Sequence, residues 1–180
     1  AYFSDEPGCA LLNGNAATAP EPCSVVPDCS YPFFSEYIEG SGNNKCLEIY
    51  NPTMENLSLA GYRIEIYFNG NTNPGNTIYL PGNASIEPGG VYVVCSPASD
   101  DEFLAIADLA TGSTSWFNGD DAVALIGKEL SGNYVTYDVI GQIGFDPGSQ
   151  WNENGVETQN QTLRRSPWVQ AGDNNGINAF

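Results

Sequence analysis

Short runs of alternating apolar and polar residues, each closed by a Gly, Asn, Asp or Pro turn, constrain this 180-residue chain more than any other feature. In the clearest run Tyr62, Ile64, Ile66 and Phe68 fall on one side and Arg63, Glu65 and Tyr67 on the other. A side-chain period of two places those sets on opposite faces of an extended strand, here with one face buried and one wet. Comparable runs recur at Phe33–Glu39, Cys46–Asn51, Tyr62–Asn69, Asn76–Leu80, Val91–Cys95, Asp121–Ile126 and Tyr134–Ile143, and QTLRRSPWV supplies a last short strand. Turn chemistry separates them in GSGNN, NPTMEN, NGNTNPGN, EPGG and NGDD. Strands this short and this regularly spaced predict an all-β sandwich or barrel. A single helix is predicted over Asp101–Leu109, capped by Ser99 or Asp100, with Asp101 and Glu102 in the first turn where carboxylates suit the helix dipole.

The body of the sandwich is expected over residues 33–168, flanked by extended arms at both ends. Residues 1–32 carry Pro7, Pro20, Pro22, Pro27 and Pro32 without a period of two or 3.6, which reads as a disulfide-braced arm or a partner-binding extension. The segment DPGSQWNENG reads as a long loop, and residues 169–180 as a flexible or docked tail.

Charge excludes several functions. The chain holds 22 acidic residues against 5 basic ones, a net charge of −17. With only Lys45, Arg63, Lys128, Arg164 and Arg165, it cannot line a groove that neutralises phosphates, so nucleic acid is not an expected partner. Anionic membranes repel it for the same reason, and no run approaches the roughly 20 apolar residues of a membrane span. The absence of His removes Ser-His-Asp and Cys-His catalysis and the usual His-based zinc sites. The start AYFSDEPG lacks a basic and then apolar leader, so an exported protein would be represented here in mature form.

Five cysteines, Cys9, Cys23, Cys29, Cys46 and Cys95, occur without a CxxC pair, which favours disulfides in an oxidising compartment over metal or thioredoxin-type sites. Cys46 and Cys95 sit in strand-like runs and are placed to staple two strands, with one further bridge among the N-terminal three. One thiol is then left, either free or bonded to another chain.

Five phrases in fixed order carry a resemblance: SEYIEGSGNNKCLEIYNP (35–52), GYRIEIYFNG (61–70), NGDDAVALIG (118–127), DVIGQIGFDPGS (138–149) and QTLRRS (161–166). Together they resemble the bacterial lamin-tail domain, over roughly residues 33–168. The resemblance implies an immunoglobulin-like β-sandwich. It also implies export, since bacterial members are typically appended to extracellular nucleases, phosphohydrolases or large surface proteins; the related domain of nuclear lamins is a protein-interaction module. It supplies no catalytic residues. The cysteine-bearing arm, Cys46 and Cys95 depart from the pattern and suggest a covalently braced member.

The acidic residues are the candidates for a metal. Glu36, Glu39 and Glu48, with Asp120 and Asp121, could supply oxygen ligands to a hard cation such as Ca²⁺, and Glu36, Glu39, Asp120 and Asp121 form the preferred set. The competing reading makes NGDD an Asx-type turn whose Asp oxygens bind backbone amides, and neighbours on a strand diverge unless that turn curls. Helix capping accounts for Asp100, Asp101 and Glu102, and an Asp-Pro-Gly turn for Asp146. Arg164 and Arg165 face apart on a strand and neutralise carboxylates. Trp116, Phe117, Trp151 and Trp168 either stack on sugar rings or fill core and interface. The triplets at Asn56, Asn83 and Asn160 fit an N-glycosylation pattern that arises readily by chance.

The expected function is a non-catalytic extracellular or cell-surface structural or interaction module, with protein as its partner. In the sharpest version it is a self-assembling surface or fibre subunit whose arms pack on a neighbour's sheet edge. The alternative is an accessory, substrate- or surface-anchoring domain of an extracellular nuclease or phosphohydrolase.

Overall fold

The computed structural model describes Tyr2–Phe3 and residues 31–111, 113, 115–129 and 131–177. Along the chain run β1 (Tyr2–Phe3), β2 (Phe33–Glu39), β3 (Lys45–Tyr50), β4 (Leu57–Ser58), β5 (Arg63–Tyr67), β6 (Asn76–Tyr79) and β7 (Ser85–Ile86). There follow β8 (Val91–Cys95), the helical turn α1 (Asp101–Leu104), β9 (Leu109–Ala110), β10 (Ala122–Lys128), β11 (Tyr134–Ile140), β12 (Asn152–Glu153), β13 (Val156–Glu157) and β14 (Gln161–Arg165). The two larger sheets have the orders β1-β14-β2-β3-β8-β9 and β11-β10-β5-β6, and β4-β7 and β12-β13 form separate two-stranded pairs. The ladders are antiparallel except β1 on β14 and β9 on β8.

The two sheets close on a common core. Phe34, Tyr37, Leu47, Ile49, Val94 and Leu163 from the first meet Ile64, Ile66, Ile78, Val123, Leu125 and Ile140 from the second. These are the alternate residues of each run, so the period read in the sequence places the core, and the all-β sandwich is the fold. Burying a side chain of this size contributes about 1.5–3 kcal/mol relative to leaving it exposed. Tyr37 stacks on Phe117 at 4.7 Å, and Tyr31, Tyr137 and Tyr62 form a file with centroid spacings of 4.6 and 5.6 Å.

Several expectations change. The helix over Asp101–Leu109 is a single turn, Asp101–Leu104. Asp108 accepts from the Val93 amide through Oδ2 and donates its own amide to the Val93 carbonyl, which draws Leu109–Ala110 into edge pairing with β8. Asp100 sits at the N-cap without a side-chain capping bond, because its Oδ2 accepts from Asn44. The outer face of β5 is not wet: Tyr67, Ala122, Ala124, Ile126 and Val139 form a second, smaller cluster with Ile143 packed against it. Glu65 is buried there between Arg63 Nε at 2.7 Å and the Tyr67 hydroxyl at 2.5 Å. The loop DPGSQWNENG holds the first strand of a β12–β13 hairpin, turning at Asn154 and Gly155 with φ of 51° and 81°. Strand β11 stops at Ile140 because Gly141 has φ 80°, and a Cβ there would lie 2.7 Å from the Trp151 indole nitrogen.

Cys46 and Cys95 face each other across β3 and β8 and are joined by a disulfide. Cys9, Cys23 and Cys29 lie outside the described residues, as does most of the N-terminal arm.

Candidate functional site

The four carboxylates expected to share a cation do not converge. Glu36 lies across from Glu48 on the outer face of the six-stranded sheet and pairs with Arg164 Nε at 3.1 Å. Glu39 is buried: Oε1 takes Lys45 Nζ at 2.5 Å and Oε2 accepts the Asn160 amide. Asp121 follows the Asx reading, with Oδ2 accepting the Asn118 amide at 2.9 Å and Oδ1 the Asn69 amide at 2.8 Å. Burial pushes both Asp120 and Asp121 above the usual carboxylate range, and amide hydrogen bonds pull Asp121 partly back. Among the described residues no three Asp, Glu, Cys or His side chains are grouped to hold a metal ion. Of the aromatics considered for sugar stacking, Trp116, Phe117 and Trp151 belong to the interior, while Trp168 is 80% exposed.

The structure instead brings the chain ends to one junction. Strand β1 adds to the free side of β14, Tyr2 opposite Arg164 and Phe3 opposite Arg165. The tail runs beside β11: the Val139 amide donates to the Asp173 carbonyl at 2.7 Å, and the Ile143 amide to the Gly176 carbonyl at 2.7 Å. The described part of the tail, residues 171–177, is therefore docked rather than free. It lies along the edge that β11 presents and bonds that edge at Val139.

Asp138 sits where these elements meet and is fully buried. Its Oδ2 accepts the Phe34 amide of β2 at 2.7 Å. Its Oδ1 accepts Arg165 Nη2 of β14 at 2.7 Å and the Asp173 amide of the tail at 2.9 Å. One carboxylate thus ties β11 to two strands of the opposite sheet, β2 and β14, and to the C-terminal segment. Burial raises its pKa to about 6, while the Arg165 guanidinium and the two amides oppose the shift, so it is ionised and paired near neutral pH. The two arginines face apart as their alternation requires, Arg164 toward Glu36 outside and Arg165 toward Asp138 inside. Sequence reasoning passed over Asp138; the available signal was a lone carboxylate inside the apolar run Tyr137–Ile140, which in a buried strand demands a partner.

Among the described residues the remaining long edge is β6, where Tyr79 is 75% exposed and no strand pairs on its outer side. No described helix is long and apolar enough to cross a membrane.

An immunoglobulin-like sandwich of this kind is the fold of a structural or interaction module. The family model for the Lamin Tail Domain matches residues 28–143, more than half of the chain, and the protein belongs to that family, a non-catalytic one. No curated protein matches it. The match ends before β14, the strand that supplies Arg165 and receives β1.

Proposed function

We propose that the protein is a non-catalytic, extracellular structural module that self-associates by strand addition, its terminal segments completing the sheet edges of a neighbouring copy. The observation that carries this reading is the docking of both ends along sheet edges, β1 as an added strand on β14 and residues 171–177 through backbone hydrogen bonds to Val139 at the end of β11 and Ile143 just past it. Backbone hydrogen bonds and alternate side-chain positions serve an added strand equally well from the same copy or another. Residues 4–30 lie between Phe3 and Tyr31, ample chain length for an end to reach across. The cross-strand disulfide supports an oxidising compartment. With an odd number of cysteines, one thiol is available for a covalent link between copies.

Sedimentation velocity of the full chain over a hundredfold concentration range tests the proposal. Concentration-dependent assembly that is lost on removing residues 171–180 is expected. A monomer at every concentration, or assembly indifferent to both ends, overturns it.

A further inference from the structure

The Asn118–Asp121 turn hydrogen-bonds the Asp120 carboxylate through the Asn118 side chain and the Asp120 amide but leaves one of its oxygens unprovided for. Asp120 is 7% exposed, and its Oδ1 is buried without a hydrogen-bond partner among the described residues. A buried carboxylate oxygen in that state is unfavourable unless a donor, a proton or a cation meets it. Its surroundings supply more negative charge. Asp146, at the start of the Asp-Pro-Gly turn after β11, acts electrostatically on both Asp120 and Asp121, and Glu39 acts on Asp120. The helical turn Phe68–Gly70 closes the same corner: Asn69 donates to Asp121, and a Cβ on Gly70 would lie 2.9 Å from the Asp146 amide. Lys45, the cation beside Glu39, is committed to Glu39 Oε1 and the Gly40 carbonyl, each at 2.5 Å.

We propose that Asp120 and Asp146 together bind one calcium ion, with main-chain carbonyls and water completing its shell. The chemistry selects the ion. Every donor is a hard oxygen, and the chain has no His to favour a transition metal. Calcium accepts an irregular shell of carboxylates, carbonyls and water, whereas magnesium demands near-ideal octahedral geometry. Asp121, with both oxygens held by amides, is a positioning residue that fixes the turn. The ion would bridge the turn before β10 to the loop after β11, two segments otherwise driven apart by their charges.

Trp151 provides a direct readout, since its Nε1 donates to the Asp121 carbonyl at 3.1 Å and its amide to the Gly119 carbonyl at 3.1 Å. Terbium added to the full chain should emit on tryptophan excitation, and calcium should quench that emission by competition. Calcium at a hundredfold excess over its Kd should raise the thermal midpoint by about 5–10 °C. Asp120→Asn should lose both responses and Asp146→Asn should weaken them. Without calcium, Asp120→Asn should melt no lower than the native protein, because the amide relieves repulsion. Terbium emission that calcium leaves unchanged, a midpoint shift no larger than sodium produces at equal ionic strength, or a full calcium response in Asp120→Asn overturns the site.

Discussion

Replacing Asp138 with Ala removes the acceptor for a buried guanidinium and two amides at once. Arg165 has a side chain only 4% exposed and would keep its charge with its 2.7 Å carboxylate partner gone. Removing one member of a buried ion pair costs about 3–5 kcal/mol, because the surviving guanidinium loses its carboxylate counterion. The Phe34 amide, also buried, adds about 1–3 kcal/mol for a lost acceptor. These terms share one atom group and do not simply add, so a loss of roughly 4–6 kcal/mol is expected from a total stability of about 5–15 kcal/mol. Urea unfolding followed by tryptophan fluorescence at pH 7.5 measures it. The paired change Asp138→Leu with Arg165→Met separates charge from packing: with no buried guanidinium deprived of its carboxylate, it should recover at least about 2 kcal/mol relative to Asp138→Ala. A loss below about 1 kcal/mol for Asp138→Ala, or a double variant as unstable as the single one, would refute the junction as argued from burial and pairing.

Three further outcomes follow from individual residues. Because the folded-state pKa of Asp138 is raised from 3.8 to about 6, the native protein holds that proton more tightly than the unfolded chain. The contribution of Asp138 to stability therefore rises as pH falls through that window and declines as pH rises through it; Asp138→Asn should remove this component from the pH profile of the urea midpoint. Replacing Cys46 and Cys95 together with Ser opens a bridge spanning 49 residues. The loss should be about 4 kcal/mol in chemical denaturation, and a change under about 1 kcal/mol would contradict a stabilising staple. Gly141→Ala puts a Cβ at φ 80° against the Trp151 ring and should lower the melting temperature by several degrees, about 1–3 kcal/mol of backbone strain before the clash is counted.

The strands of the sandwich were legible because a period of two survives wherever one face is buried, as in Ile64 and Ile66 or Leu47 and Ile49. Leu109 was misread as helical because its pairing with β8 depends on Asp108 reaching Val93, fifteen residues away in sequence. The Asn154–Gly155 turn was there to be read, since Asn-Gly is the strongest hairpin signal, but its flanking strands are only two residues each. The buried outer face of β5 was not legible: Arg63 and Glu65 look solvated in sequence, and only the fold brings Tyr67, Ala122 and Ala124 beside them. Individual acidic residues at the NGDD turn were identified from sequence, whereas their partners were not. Glu39 finds Lys45 across a hairpin, and Asp138 finds Arg165 across 27 residues and the full depth of the sandwich.

The position of the tail in the native material decides whether these modules exchange strands. Asn174 lies beside Thr136 and Tyr137 in the cleft between tail and β11, so a photo-reactive residue in its place would label whatever β11 the tail occupies. Isotopically heavy and light populations, unfolded together, refolded and irradiated, should yield cross-links from residue 174 to the 134–143 segment in which heavy and light chains are joined. Cross-links confined to heavy–heavy and light–light pairs would place every tail on its own body and contradict assembly by strand addition.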